Sequence, residues 1–176
     1  MMKKLTFLIV LASLLLTVSC NDAKSNKASN TNAQVKTGVA PIADNEIAVI
    51  EIEQPAFGTI KIELYSNIAP KAVERFKTLA KEGFYNGVTF HRINDTVIQG
   101  GDPLSKDSNP ANDGTGGSDK PNVPAEFSDI PYDTAIVGAA RGQDVNSANS
   151  QFFIMLKREA QFDKKYTVFG KVIEGM

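Results

Sequence analysis

An arginine and a glutamine seven residues apart are the side chains of this sequence best suited to chemistry. Arg92 belongs to the apolar run Phe90 to Ile93, and Gln99 ends a second extended segment that two glycines terminate. A third run, Ser150 to Ile154, supplies apolar side chains that could form a wall beside this pair. The pattern predicts an enzyme that needs no nucleophile, no metal and no cofactor.

The rest of the composition excludes most other kinds of site. His91 is the only histidine and Cys20 the only cysteine, so no cluster of imidazoles and thiolates could hold zinc. No serine lies in a Gly-x-Ser-x-Gly elbow. Asp113 to Lys120 is rich in glycine but lacks the Gly-Lys-Ser/Thr of a phosphate-binding loop. Carboxylates are numerous but scattered, and no acid/base pair stands out.

Residues 1–20 have the pattern of an export signal. Lys3 and Lys4 precede an apolar core, Leu5 to Leu16, which is shorter than the roughly 20 residues of a membrane span. The small residues before Cys20 resemble a bacterial lipobox, which implies that Cys20 is lipidated and becomes the mature N-terminus. We therefore predict a lipoprotein of the bacterial cell envelope, facing the periplasm or the exterior. The alternative is an ordinary secretory signal with an incidental cysteine.

Residues 21–44 contain abundant Asn, Ser, Thr, Ala and Lys and no aromatic residue. Because this stretch has little apolar surface to offset chain entropy, it predicts a flexible tether between the lipid anchor and a domain at residues 45–176. The formal net charge is −1, and no basic cluster is present. This balance excludes nucleic acid and other polyanions as partners.

The domain alternates between apolar and polar residues in several short runs, and it contains one segment with helical periodicity. Pro70 suits the first position of that helix and Gly83 its end, while Val73, Phe76 and Leu79 mark its buried side. The predicted strands cover Glu46–Glu53, Phe57–Leu64, Val88–Ile93, Val97–Gln99, Thr134–Ala140, Gln151–Leu156 and Tyr166–Ile173. Seven strands beside one helix predict a mainly β fold, an antiparallel barrel that is closed or nearly closed.

Seven short motifs follow one another through the domain: Ile62-Glu63-Leu64-Tyr65, Asn86-Gly87-Val88-Thr89-Phe90-His91-Arg92-Ile93, Ile98-Gln99-Gly100-Gly101-Asp102-Pro103, Gly114-Thr115-Gly116-Gly117, Pro124-Ala125-Glu126-Phe127, Ser150-Gln151-Phe152-Phe153-Ile154 and Val168-Phe169-Gly170-Lys171-Val172. In these motifs and their order, residues 46–176 resemble the cyclophilins, a family of peptidyl-prolyl cis-trans isomerases. The resemblance implies a cyclophilin-like closed antiparallel β-barrel with flanking helices. It also implies isomerase activity on Xaa-Pro bonds.

The resemblance also implies a role for individual residues. Arg92 matches the family's essential arginine, which donates a hydrogen bond toward the proline nitrogen of a twisted amide. Gln99 matches the glutamine that steadies the substrate backbone. The predicted substrate-binding residues are His91, Val97, Gln99, Ala140, Gln151, Phe153, Phe162 and Tyr166. Phe152 is predicted to belong to the core, because alternation along a strand sends it to the face opposite Phe153.

The sequence departs from the family pattern at two places that bear on function. The spacing between Arg92 and Gln99 is one residue short, which puts Thr96 at the place of a pocket aromatic and predicts either a shallow pocket or a shifted register. The family continues past Met176 with a helix and a strand that this sequence lacks. This second departure predicts either a fragment of a longer protein or a destabilised relative.

Three functions stay open on these grounds. The first is a monomeric prolyl isomerase, tethered outside the cytoplasm, that acts on proline-containing segments of exported proteins without a cofactor. The second is a module of the same shape that binds proline-containing chains without turnover. The third is a surface lipoprotein that contacts a partner through the long loop Asp102–Asn122.

Overall fold

A computed structural model describes residues 33–53 and 58–176 of the chain. Within these residues it has seven strands and one α-helix, with two short 3-10 turns at Pro103–Lys106 and Ala160–Phe162. The elements are β1 (Ile47–Ile52), β2 (Gly58–Leu64), α1 (Pro70–Lys81), β3 (Arg92–Ile93), β4 (Val97–Gly100), β5 (Ile136–Ala139), β6 (Phe152–Met155) and β7 (Val168–Glu174). The predicted mainly β fold with a single long helix is confirmed.

The strands form one antiparallel sheet in the order β1-β2-β7-β5-β6-β4-β3. The predicted closure of a barrel is not confirmed. No pairing joins β1 to β3 within the described residues, so the curled sheet is open and has these two strands at its edges. The physical reason lies at the β3 edge, where only two residues adopt strand pairing and offer little backbone to a further strand.

The third predicted strand, Val88–Ile93, is much longer than the observed β3. The backbone N–H of Val88 donates to Tyr85 O at 3.1 Å, and that of Thr89 donates to the Ser105 hydroxyl at 3.0 Å. These residues therefore satisfy their polar backbone groups in a turn and against a loop rather than in a sheet ladder. Only Arg92 and Ile93 pair with β4.

Helix α1 begins and ends where the sequence predicts. Pro70 occupies the first turn, and the chain leaves the helix through Gly83, whose φ of +70° favours glycine. The free N–H groups of Lys71 and Ala72 donate to the Glu126 carboxylate at 3.1 and 3.0 Å. This carboxylate lies at the positive end of the helix, so it both caps the helix and fixes the segment around Glu126 to it.

The alternation of side chains divides the buried residues into two clusters. The first cluster contains Phe152, Ile154 and Val137 and packs against Phe76 of α1. The second cluster contains Phe153, Met155 and Ile136 and also takes in Val97 and Tyr132. The prediction that Phe152 and Phe153 point in opposite directions is confirmed, and the candidate site is built on the second cluster.

Residues 33–44 differ from the flexible tether predicted for residues 21–44. The backbone of Lys36 pairs with the segment around Ser128, donating to Phe127 O at 2.8 Å and accepting from Asp129 N at 3.0 Å. The side chain of Asn67 bonds residues 33–44 twice: it accepts from Ile42 N at 3.0 Å and donates to Ala40 O at 2.9 Å. Backbone hydrogen bonds, which composition does not reveal, therefore attach this segment to the domain. We name residues 36–44 the N-terminal strap.

The predicted signal peptide, the lipidation site Cys20 and the first part of the predicted tether lie outside the described residues. Within the described ranges, no helix is both long enough and apolar enough to cross a bilayer.

Candidate active site

A row of paired residues across four strands positions the candidate site. Arg92 of β3 faces Gln99 of β4, Gln99 faces Phe153 of β6, and Phe153 faces Gly138 of β5. Residues opposite each other in antiparallel strands project to the same side of the sheet, and neighbouring strands lie about 4.8 Å apart. The sheet therefore sets a cation, an amide and an aromatic ring in a line on one face.

Hydrogen bonds connect the polar side chains of this row to the long loop. Arg92 Nη1 donates to Gln99 Oε1 at 3.3 Å, and Gln99 Nε2 donates to Gln151 Oε1 at 2.9 Å. Gln151 Nε2 then donates to Gly116 O at 2.8 Å. The orientation of both carboxamides is thereby fixed, since each uses its oxygen and its nitrogen for a named partner.

A buried carboxylate fixes the loop segment that contains Gly116, the last acceptor in this series of hydrogen bonds. Asp102 is fully buried, and its side chain accepts hydrogen bonds from the backbone N–H groups of Leu104, Gly114 and Gly116. Three donors satisfy the carboxylate without a cation. Asp102 thus orders the glycine-rich part of the loop that receives Gln151.

The three residues between Ile93 and Val97, where the spacing is shorter than in the family pattern, lie in a tight turn. Asn94 N donates to Val97 O at 3.1 Å, and the Asn94 carboxamide oxygen accepts from Thr96 N and Val97 N at 2.8 and 2.9 Å. This turn closes the β3–β4 hairpin with Arg92 still opposite Gln99. The short spacing is therefore compatible with an Arg92–Gln99 pair on one face.

Four aromatic rings form an apolar floor and wall beside the row. Phe153, which is 4 % exposed, stacks on Tyr132 at 5.7 Å and meets the edges of Phe162 and Tyr166 at 5.6 and 5.7 Å. Val97 is nearly buried beside Phe153, whereas Phe162 and Tyr166 are half-buried. Phe153 and Val97 thus form the buried base of this aromatic cluster, and Phe162 and Tyr166 form its partly exposed side; we name the surface over Phe153 between them the depression.

The remaining predicted residues lie at the margins of the depression. His91 packs beneath the long loop: a Cβ at Gly114 would lie 3.5 Å from His91 Nε2, and both ring nitrogens are buried without a hydrogen-bond partner. Ala140 is half-buried and donates its N–H to Gln151 O at 2.9 Å. Thr96 is half-buried in the turn beside Val97.

Sequence reasoning missed three residues that contribute to the site. Tyr132 is completely buried under Phe153, and burial raises the pKa of its phenol well above the ordinary value, so it acts as a neutral ring. Gly138 gives the rings of Phe153 and Tyr132 the space that a side chain would fill. Arg141 lies over the face of Tyr166, with its Cζ 4.6 Å from the ring centre. Only Arg141 carried a usable signal, because it directly follows the predicted Ala140.

The arrangement suits an extended apolar or cyclic side chain bound over Phe153 with a polar backbone group directed at Arg92. No carboxylate lies within 4 Å of the Arg92 guanidinium in the described part of the chain. Apart from Gln99, this donor therefore has capacity for a ligand.

Comparison with known proteins identifies the family of this chain. The model of the family described as cyclophilin type peptidyl-prolyl cis-trans isomerase/CLD matches residues 48–176. The chain belongs to the cyclophilin family. The match begins at the second residue of β1, so that the N-terminal strap lies outside it.

Individual cyclophilins show how close the similarity is. A probable peptidyl-prolyl cis-trans isomerase of Brucella suis is 48% identical over 124 residues, which cover 68% of this chain and 63% of that protein. The chain thus matches less than two thirds of the length of this relative. The Schizosaccharomyces pombe peptidyl-prolyl cis-trans isomerase ppi1 is 42% identical over 129 residues, 70% of this chain and 77% of that protein.

Solved cyclophilin structures have the same fold. The cyclophilin type peptidyl-prolyl cis-trans isomerase of Cryptosporidium parvum, crystallised in the presence of the dipeptide Ala-Pro, matches with a TM-score of 0.60 and 33% identity. The match covers 68% of this chain and 75% of that structure. The cyclophilin AquaCyp293 of Hirschia baltica, at 23% identity and a TM-score of 0.62 over 73% of this chain and 64% of that one, supports the fold alone.

Proposed function

We propose that this chain is a peptidyl-prolyl cis-trans isomerase. The observation that carries the proposal is the row Arg92–Gln99–Phe153, in which a guanidinium and an apolar ring lie on one face of the sheet. The family match and a relative crystallised in the presence of Ala-Pro support the assignment of a proline residue to the depression over Phe153.

The chemistry follows from the amide bond. Unaided rotation about an Xaa-Pro bond takes tens to hundreds of seconds, because resonance keeps the amide planar. In the twisted state the proline nitrogen regains a lone pair. A donor that bonds this lone pair stabilises the transition state more than either planar state, and so it accelerates rotation in both directions.

Each residue of the row has a separate role in this mechanism. Arg92 donates to the proline nitrogen through a planar guanidinium that stays protonated. Gln99 limits the movement of Arg92 through their 3.3 Å hydrogen bond and steadies the substrate backbone. Phe153, Val97, Phe162 and Tyr166 hold the proline ring. His91, Gln151 and Ala140 bound the depression, and no general base is required.

A coupled assay on an Xaa-Pro peptide tests the proposal. We expect Arg92→Ala and Arg92→Lys both to lower kcat/KM by about a hundredfold, the usual effect of removing a transition-state donor, because a lysine ammonium lacks the planar fork. Arg75→Lys is the matched control. Arg75 donates to Pro121 O on the helix side of the molecule, and its substitution should leave kcat/KM within about twofold.

If folded wild-type protein binds the peptide without accelerating rotation, the proposal of isomerase activity is wrong. That result would favour the second candidate, a proline-binding module. The observation that favours this candidate is that Phe153 is only 4 % exposed. In addition, Thr96, which the resemblance puts at or near the place of a pocket aromatic, lies in the β3–β4 turn. NMR exchange spectroscopy of the peptide with the protein separates binding from turnover.

We further propose that the clients are exported proteins and that the enzyme is held at the bacterial cell envelope through a lipid on Cys20. The support is the signal-like residues 1–20 and the resemblance of their end to a lipobox.

A further inference from the structure

Arg141 places a second fixed cation at the rim of the depression. Its Cζ lies 4.6 Å from the Tyr166 ring centre, and that ring lies 5.7 Å from the Phe153 ring. The guanidinium is therefore at most about 10 Å from the Phe153 ring, a distance that two or three residues of extended chain span. A side chain two or three residues from a bound proline can reach it.

The surroundings of Arg141 hold the guanidinium in place without neutralising it. Nη1 donates to Gly142 O at 2.8 Å and Nη2 donates to Lys165 O at 3.0 Å, while the plane lies over Tyr166. All of these partners are uncharged groups. The Nε atom is buried and has no hydrogen-bond partner. A guanidinium that is fixed in advance loses little freedom when a ligand binds.

No carboxylate within the described residues competes for this cation at a distance of 4 Å or less. Asp144, on the same loop, accepts from the backbone N–H of Asn146 at 2.9 Å. Asp163 is bound by Arg158 and by the backbone N–H of Tyr132. Glu159 accepts from the backbone N–H of Gln161. The acidic groups near this end of the depression therefore have other partners.

Further positive charge lies on both sides of Arg141. Lys164 and Lys165 are exposed directly before Tyr166, and no ion pair involves either of them in the described part of the chain. Arg92 lies at the other end of the row. Since the whole chain has a formal net charge of −1, these cations near the depression are a local grouping and not the result of a basic protein.

We propose that Arg141 is a specificity-determining residue, and that the preferred substrates are proline-containing segments with an acidic side chain two or three residues from the proline. This inference rests on the proposed function, because it assigns the substrate class of the same site. The guanidinium pairs with the substrate carboxylate, while Tyr166 shields one face of the pair from water.

Three peptides that differ at one position test the inference. Each carries the same Xaa-Pro bond with Glu, Gln or Lys two residues from the proline, and a second set moves the substitution to three residues. We expect kcat/KM to fall in the order Glu, Gln, Lys, with Glu exceeding Lys about tenfold at low salt, the size typical of a partly shielded charge pair. The ratio should shrink as NaCl is added.

Variants of the protein assign the preference to one side chain. Arg141→Gln should bring the Glu-to-Lys ratio close to one, and Arg141→Lys should keep part of it because the charge remains. Arg75→Gln removes a guanidinium from the helix side and should leave the ratio unchanged. A wild-type ratio near one, or a ratio that survives Arg141→Gln, would overturn the inference while leaving the isomerase intact.

The same peptides titrated against the protein by NMR keep the two proposals distinguishable. If no peptide is turned over but affinity still falls in the order Glu, Gln, Lys, the isomerase proposal is wrong and the selection of acidic segments by Arg141 is supported. Absence of both binding and turnover in folded protein would overturn both. The ratio is the informative readout, because a purely structural role of Arg141 would lower the values for all three peptides together.

Discussion

At the scale of single residues, the site depends on a glycine as much as on its arginine. Gly138 closes the row that begins at Arg92, and its missing side chain lets Phe153 and Tyr132 stack against β5. A Cβ at this position would lie 2.7 Å from the Tyr132 hydroxyl and closer still to Phe153 Cζ. The aromatic floor therefore exists only because one strand position carries no side chain.

We predict that Gly138→Ala displaces the Phe153 ring and lowers the free energy of unfolding by about 1–3 kcal/mol, as overpacking of a core does. The value of kcat/KM should fall as well, because the floor of the depression moves. Urea denaturation and the peptide assay measure the two effects. Gly142→Ala is the matched control, since its Cβ would meet only the Ser147 hydroxyl at 3.3 Å. Equal effects of the two substitutions would refute this account.

Arg92 could be identified as a site residue from the sequence, whereas Tyr132 could not. Arg92, Gln99 and Phe153 lie in short motifs whose order marks the family, and the strands that bring them together follow from alternation. Tyr132, Gly138 and Arg141 act through contacts between segments far apart in the chain. Their neighbours in sequence give no periodic signal, and only the folded sheet brings these partners together.

At the scale of elements, the N-terminal strap differs most from its prediction, because its composition indicates a flexible tether whereas the structure attaches it to the domain. Asp44 joins the strap to β2 and α1: its N–H donates to Leu64 O at 2.8 Å, and its carboxylate accepts from Ser66 Oγ at 2.7 Å and Lys77 Nζ at 2.6 Å. The Asp44 side chain is 16 % exposed. A polar, flexible-looking segment is thus held by specific bonds whose partners lie far away in the sequence.

The charge of Asp44 makes this attachment dependent on pH. Burial raises the pKa of the Asp44 carboxyl, but hydrogen bonds from Lys77 and Ser66 lower it by more, so the net pKa lies below the ordinary value. The unfolded chain therefore binds a proton at higher pH than the folded chain does. The stabilisation is complete well above the ordinary value of about 3.9 and is lost as the pH falls through the folded pKa.

We predict that Asp44→Asn lowers the free energy of unfolding by about 1–3 kcal/mol at pH 7, because a charged hydrogen-bond acceptor is lost. The difference from wild type should shrink below about pH 4 and vanish once wild-type Asp44 is protonated in the folded state. Urea denaturation across this range measures it. The control is Asp95→Asn in the exposed β3–β4 turn, where no such difference is expected. A difference that persists unchanged at pH 2 would contradict the linkage.

At the scale of the whole molecule, the two faces of one curled sheet carry the two buried clusters, and only one of these clusters underlies the candidate site. One face packs on α1 through the first cluster, and the other carries the aromatic floor and the Arg92 row. The alternation of the strands predicts this division, as the opposite faces of Phe152 and Phe153 illustrate. Closure of the sheet was not predictable in the same way, because it depends on how many backbone groups β1 and β3 leave for pairing.

The proposed lipid anchor leads to a prediction for the whole protein in its cell. Cys20→Ser removes the only thiol in the sequence and should move the protein from the membrane fraction to the soluble fraction. Cell fractionation followed by immunoblotting measures the change. Ser19→Ala is a suitable control, because it keeps a small residue beside an intact Cys20 and should leave the protein in membranes. Retention of the Cys20→Ser variant in membranes would count against the anchor.

The attachment of the strap also decides where a pulling force enters the domain. Tension on the chain before Lys36 acts first on the paired backbone of Lys36 and Ser128 and on the two bonds of Asn67. Once these bonds have broken, the bonds of Asp44 to Leu64, Ser66 and Lys77 still lie between the load and β1. In the described part of the chain, β1 is an edge strand that β2 alone holds by pairing. Under tension, residues 36–44 would therefore extend before β1 is pulled away from β2.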